Sequence, residues 1–449
     1  MTFSAIDSGL LGPLFATAAM RDVFADQARL AAMLEVVAAL AQVQARFGLV
    51  PDALAPAIVA ISADSLDVVA LGEQTALAGV PSIPFVRAVQ ARLPEKLEQA
   101  FHKGATTQDI LDTALAMQMR AALALVAAEI DAILAGLAGL AATYRDTPCV
   151  GRTYGQHAAP LTFGFKVAVW MAGVADLAER LPGLRSRLLL ASLGGPAGTL
   201  AGLGVHGPAV ADGFAAALSL GTAPIAWHTR RAGMAEGGAW LATLMGALAK
   251  MATDIAHLAS TEVAEVAEPW VPGRGGSSAM PHKRNPVSCT VILAAASAAK
   301  GHVATLLDAM VSAHERPPGL WHAEWHALPS LFGLASGALR EAASLAQGLV
   351  VDAPRMRANI GQTRGLLFAD AAAARLSPLL GREAAHARIE QAADEVRRTG
   401  DTLREVLARD TALRDADLAA VFDLAPAIAA AGPWVDRALA HAAVVQQAL

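Results

Sequence analysis

Twelve consecutive residues, Gly275-Gly276-Ser277-Ser278-Ala279-Met280-Pro281-His282-Lys283-Arg284-Asn285-Pro286, concentrate groups that could handle an anion. Two glycines ahead of two serines give a backbone free to move and to present N–H groups. His282, Lys283 and Arg284 add positive charge, and Asn285 adds a neutral donor. Such a loop suits a carboxylate, and a mobile one can close over substrate and exclude water. A serine hydroxyl is a weak base alone, and serves only where nearby cations and N–H donors stabilise the alkoxide. On residue types alone, a solvated basic loop between two helices explains the composition equally well.

Two other segments could contribute. His102-Lys103-Gly104-Ala105-Thr106-Thr107-Gln108-Asp109 places hydroxyls and an acid before a long helical pattern. That is ordinary N-capping chemistry, but the free N–H groups of a helix start also attract anions. Gly151-Arg152-Thr153-Tyr154-Gly155-Gln156-His157-Ala158-Ala159-Pro160 reads as a helix–helix turn, with Pro160 in the first turn of the next helix. No His/Cys/Asp/Glu group has metal-ligand spacing and no nucleotide-binding motif occurs, so neither metal nor cofactor is expected.

The elements that must position these segments are helical. Alanine and leucine dominate, aromatics are 5%, and only two tyrosines occur, which favours helix over sheet. Helical patterns are expected at about 109–144, 160–180, 232–267, 287–313, 327–349, 365–380, 383–399 and 401–408, the last with Asp401 as N-cap. The expectation is an all-α fold of three helical domains, 1–108, 109–350 and 351–449, the middle one an elongated bundle carrying the loop. With a formal net charge of −5 and no basic block, nucleic acid is not an expected partner. Cys149 and Cys289 read as reduced thiols of a cytosolic protein. No signal-peptide pattern opens the chain, and the longest uncharged run, between Arg187 and Asp212, is broken by glycine and proline, so no membrane span is expected.

The string GSSAMPHKRNP at 276–286 resembles the signature loop of the fumarase/aspartase superfamily, all-helical enzymes that make or break a bond next to a carboxylate-stabilised carbanion. The resemblance makes Ser277 the catalytic base. Lys283 counts as catalytic beside it, holding with Ser278 and Asn285 the carboxylate on which charge builds. The 102–109 segment is similar to the superfamily's first region and implies that Thr106, Thr107 and Gln108 line the pocket. The 151–160 segment is similar to the second region, but Tyr154 stands where the lyases place their general-acid histidine.

A tyrosine is a poor acid at neutral pH. The change argues against the alternative, an adenylosuccinate lyase-like elimination. It suits a reaction whose leaving group is a carboxylate, which departs as a stable anion. Trp227-His228-Thr229-Arg230-Arg231, then His314-Glu315-Arg316 and Gly319-Leu320-Trp321-His322-Ala323-Glu324-Trp325, resemble the carboxymuconate cycloisomerase branch. That branch closes a 3-carboxy-cis,cis-muconate to 4-carboxymuconolactone in protocatechuate catabolism by the β-ketoadipate pathway. Arg152, Thr153, Gln156, His157 and Arg316 are then candidates to bind the other carboxylates of a small polycarboxylate substrate. The resemblance further implies a cytoplasmic homotetramer with sites shared between subunits. The residues leave open which group replaces the missing histidine. Retirement to a non-catalytic helical protein is disfavoured by the complete loop.

Overall fold

Apolar residues recurring at helical spacing in an Ala/Leu-rich chain build long helices that bury wide faces. A computed structural model describes residues 3–410 and 417–449. Met1 and Thr2, the start of the stretch read for a signal peptide, and residues 411–416 of the expected third domain lie outside the described residues. The fold is all-α, as expected, with only two two-stranded sheets among the described residues.

The N-terminal part is dominated by α1 (Asp26–Arg46). The central bundle opens with α2 (Thr107–Thr143), continues through a hairpin of β1 (Pro148–Thr153) and β2 (Gln156–Thr162), and adds α3 (Phe163–Ala178), α4 (Ala232–Leu258), α5 (Val287–Ala309) and α6 (Leu320–Gly348). Between α4 and α5, β3 (Val266–Ala267) pairs with β4 (Val350–Val351) just after α6. A second core, centred on Leu376, Ile389 and Leu403, joins α7 (Ala369–Leu380), α8 (Arg382–Thr399) and α9 (Leu403–Ala408). The last helix, α10 (Ala425–Ala448), leaves that core and packs on α2 and α3.

Two contacts fix the frame. Trp321, at the start of α6, donates from Nε1 to Asp112, near the start of α2, at 3.0 Å. At the other end, a side chain on Gly136 of α2 would strike Ala346 of α6. The helices therefore run parallel in close contact, over roughly 35 Å at 1.5 Å per residue. One end of the molecule holds the starts of α2 and α6. The other holds the β1–β2 hairpin and the 269–286 loop.

Several boundaries differ from expectation. Pro160 lies in β2, not in a helix. The segment read as a helix–helix turn is a β-hairpin, and α3 starts at Phe163 with Thr162 Oγ1 accepting from Phe165 N–H at 3.2 Å. Left-handed backbone at Tyr154 (φ 51°) and Gly155 (φ 75°) gives the tight reversal a two-residue hairpin needs. α4 ends at Leu258 rather than 267, because the following chain is drawn into the β3–β4 pairing. α6 begins at Leu320, seven residues before the expected 327, so the Trp321–Trp325 stretch is its first turn. Thr402, not Asp401, caps α9: its Oγ1 accepts from Glu405 N–H at 3.2 Å, while Asp401 pairs with Arg409 at 2.7 Å. Four helical stretches, Asp26–Arg46, Thr107–Thr143, Val287–Ala309 and Leu418–Ala448, are long and apolar enough to cross a bilayer. A search for charge-free runs misses them, because scattered charges leave a helix apolar on average.

Candidate active site

At the α2 end, the helix start is tied down by Asp109. Its Oδ2 accepts from Thr106 N–H and Gly195 N–H, both at 2.9 Å, and its Oδ1 from Gly194 N–H at 2.8 Å and His228 Nε2 at 2.7 Å. Thr106 and Thr107 are half-buried, and Thr106 closes a capping box, its hydroxyl accepting from Asp109 N–H while the Asp109 carboxylate accepts from Thr106 N–H. The first N–H groups of α2 lie beside them, and a helix start of this kind attracts anions.

Gln108 behaves differently. It is fully buried, and its amide is consumed within the chain: Nε2 donates to His228 O at 2.8 Å and Asp112 Oδ2 at 3.0 Å, and Oε1 accepts from Arg316 Nε at 3.1 Å. Arg316 Nη2 is buried without a partner among the described residues. His102 is also pushed toward its neutral form, by burial against the opposing pull of Asp109.

Beneath lies a buried ionic cluster. Arg231 forks onto Asp112 (2.7 and 3.2 Å) and Glu324 (Nε–Oε1 2.9 Å, with a second contact from Nη2). Burial works against the Arg231 charge, but Asp112 and Glu324 outweigh it and raise its pKa above the ordinary value. Trp227 stacks under the guanidinium at 5.0 Å. Sequence reasoning passed over Asp112 and Glu324 as participants, since nothing in their spacing announces a pairing across 93 to 119 positions.

At the opposite end, the hairpin tip presents Thr153, Tyr154 and Gln156 to solvent, with Thr153 paired to Gln156 in the register. Arg152 turns back from the tip to clasp buried Glu265 at 2.7 and 3.3 Å, and Asn359 Nδ2 supports the same carboxylate at 2.8 Å. Arg152 is thus not a free cation in this chain. The pKa of His157 is lowered by burial and by neighbouring Arg152 against the opposing pull of Glu265, which favours its neutral imidazole.

The 269–286 loop leaves the same end. Glu268 accepts from Ser288 N–H (3.0 Å) and Cys289 N–H (2.9 Å), and buried Glu341 binds both Arg274 and Ser288 Oγ (2.8 Å), so both stems are anchored. Between the stems, Asn285 N–H donates to Gly275 O at 2.8 Å, an approach only glycine allows there, since a Cβ would stand 2.6 Å from Asn285 O. Ser277 is half-buried, its Oγ accepting from Met280 N–H at 3.2 Å. Ser278, Lys283 and Asn285 are exposed.

One chain therefore joins Thr106, Thr107, Gln108 and Arg316 at one end. It keeps Arg152, Thr153, Gln156 and His157, with Ser277, Ser278, Lys283 and Asn285, at the other. Glu341, under the loop, lies twenty residues beyond Trp321 on α6, roughly 30 Å at 1.5 Å per residue. Among the described residues no group of three His, Cys, Asp or Glu side chains could hold a metal.

A lyase family model matches residues 15–301, and a second, the adenylosuccinate lyase C-terminus, matches 365–438. The chain is 43% identical to the 3-carboxy-cis,cis-muconate cycloisomerase of Pseudomonas aeruginosa, over 96% of each chain. It is also 43% identical to the nitrosuccinate lyase of Streptomyces davaonensis, over 97% of this chain and 95% of the relative. The solved structure of the 3-carboxy-cis,cis-muconate lactonizing enzyme from Pseudomonas putida superposes with a TM-score of 0.93 at 40% identity, covering 98% of this chain and 100% of that one. The chain belongs to the fumarase/aspartase superfamily of lyases. Within it, cycloisomerases stand among the relatives that it matches over nearly their whole length.

Proposed function

We propose that this protein is a lactonising cycloisomerase that converts 3-carboxy-cis,cis-muconate to 4-carboxymuconolactone. The observation that carries the reading is a complete Ser277-Ser278…Lys283-Arg284-Asn285 loop together with a tyrosine at the hairpin tip. A carboxylate attacking or leaving within one molecule needs little proton help at oxygen, so the missing histidine costs this reaction little. The pocket must fold the diene so that oxygen and carbon meet, which is catalysis by proximity. Ser277 moves the proton at carbon. Lys283, Asn285 and Ser278 hold the neighbouring carboxylate as it takes on aci-carboxylate charge. Thr106, Thr107 and Arg316 bind a second carboxylate at the α2 start, and Thr153, Gln156 and His157 line the wall between.

Because these groups lie at opposite ends of one chain, a working site draws them from different copies. The protein acts as a homotetramer, and α5 supplies an apolar face for it: only 28% of its most apolar stretch is buried within the chain. The same covering accounts for the long apolar helices without a bilayer, and we place the enzyme in the cytoplasm, with divisions near 108 and 350.

A second reading has a specific basis. Nitrosuccinate lyase is equally similar, and nitrite, like carboxylate, leaves as a stable anion. An adenylosuccinate lyase-like elimination stays disfavoured by Tyr154. Purified protein mixed with 3-carboxy-cis,cis-muconate should remove the diene absorbance saturably and yield 4-carboxymuconolactone by NMR. Nitrite release from nitrosuccinate, with no diene loss, would replace the first reading with the second.

A further inference from the structure

In the Trp227–Arg231 and Trp321–Trp325 stretches, two of the indoles and the buried charges are spent within the chain. Trp227 Nε1 is spent on Ala191 O at 2.9 Å, and Trp321 Nε1 on Asp112 at 3.0 Å. Arg231 and Glu324 are each 1% exposed, and Arg231 binds both Glu324 and Asp112. Charges so deeply placed persist only when every partner is fixed, and their geometry is then rigid.

One thread leads out of this cluster toward solvent. Asp112, held by Arg231 and Trp321, accepts from Gln108 Nε2, while His228 O takes the same amide's other N–H. Those two bonds decide which way round the amide sits, because both acceptors demand the NH₂ end. The amide oxygen is thereby turned to Arg316, whose Nε donates to it at 3.1 Å. Arg316 follows His314, a residue with left-handed backbone (φ 50°), on a segment outside any helix, so its stem is not fixed by secondary structure. Its Nη2 is buried and has no partner among the described residues. A buried guanidinium N–H without an acceptor is costly, and a ligand oxygen would satisfy it.

We infer that Gln108 is a positioning residue rather than a substrate ligand: it transmits the rigidity of the buried Arg231–Asp112–Glu324 cluster to Arg316, whose free Nη2 is the donor for one substrate carboxylate. This rests on the reading of that end of the molecule as a carboxylate subsite. It assigns the two tryptophan-bearing stretches a common purpose, which is to orient one arginine. It also explains why glutamine is needed at 108: leucine would give no acceptor, and glutamate would set a second carboxylate against Asp112.

A double-mutant cycle tests it, with KM and kcat measured on 3-carboxy-cis,cis-muconate and on nitrosuccinate and read with whichever the wild type turns over. Arg316→Ala should raise KM by roughly 100-fold and Gln108→Leu by roughly 10-fold, with kcat less affected, since a charged hydrogen bond is lost in one and its alignment in the other. On the Arg316→Ala background, Gln108→Leu should change KM by less than about two-fold, because it then has nothing left to orient. Arg316→Lys keeps the charge but lacks the Nε donor, leaves the buried cluster untouched, and should match Gln108→Leu. Full additivity in the cycle, or a wild-type KM for Arg316→Lys, overturns the inference and leaves the proposed activity standing. A folded, tetrameric wild type that is inert on both substrates overturns the two together.

Discussion

The chemistry of the loop rests on single side chains, and so do its tests. Ser277→Ala removes one half-buried hydroxyl from an exposed loop, so the protein should fold with an unchanged melting temperature while turnover falls by about 10²–10⁴-fold, the usual range for a lost proton-transfer group. Retained turnover with the product unchanged would take Ser277 out of the mechanism. The two thiols should take no part. Cys149 and Cys289 are fully buried, and burial pushes the Cys149 thiol up to about 12 and the Cys289 thiol higher still. A thiol reagent added to native protein at pH 8 should therefore titrate neither, and should titrate both in denaturant. Native labelling would show that one of these sites opens.

Helices and their junctions carry the next level. Arg231 bridges the start of α4 to α2 and α6 at once, through Asp112 and Glu324. Arg231→Met leaves two buried carboxylates facing each other, and should cost about 3–5 kcal/mol in urea unfolding, against the near-neutral effect of replacing the whole cluster with apolar residues. A midpoint within error of wild type would show that the cluster is hydrated. The β1–β2 hairpin shows why a strand was missed. Its tip uses Tyr154-Gly155 in left-handed backbone, not the Asn-Gly or Asp-Gly pair that announces such a turn.

For the molecule, the parallel packing of α2 and α6 is decisive. It holds Arg316 and Ser277 far apart in any one chain, so defects in the two ends should compensate between chains. Ser277→Ala protein, nearly inactive, and Arg316→Ala protein, assayed at substrate well below its raised KM, should regain measurable activity when dissociated together and reassembled, because some sites then receive both intact halves. No recovery in verified mixed tetramers would mean that each chain completes its own site.

The amino-acid sequence alone determined the helical class, the long central bundle and the loop that holds Ser277, Lys283 and Asn285, because periodicity and a contiguous string are local properties. It also carried Tyr154, whose chemistry narrows the reaction without any coordinates. Only the tertiary structure decided that Gln108 is spent inside the protein, that Arg152 is bound to Glu265, and that the segments with site chemistry occupy opposite ends. Those facts depend on which residues meet across 113 to 208 positions of chain. Such meetings follow from the direction in which long helices pack, and no short stretch of sequence encodes it.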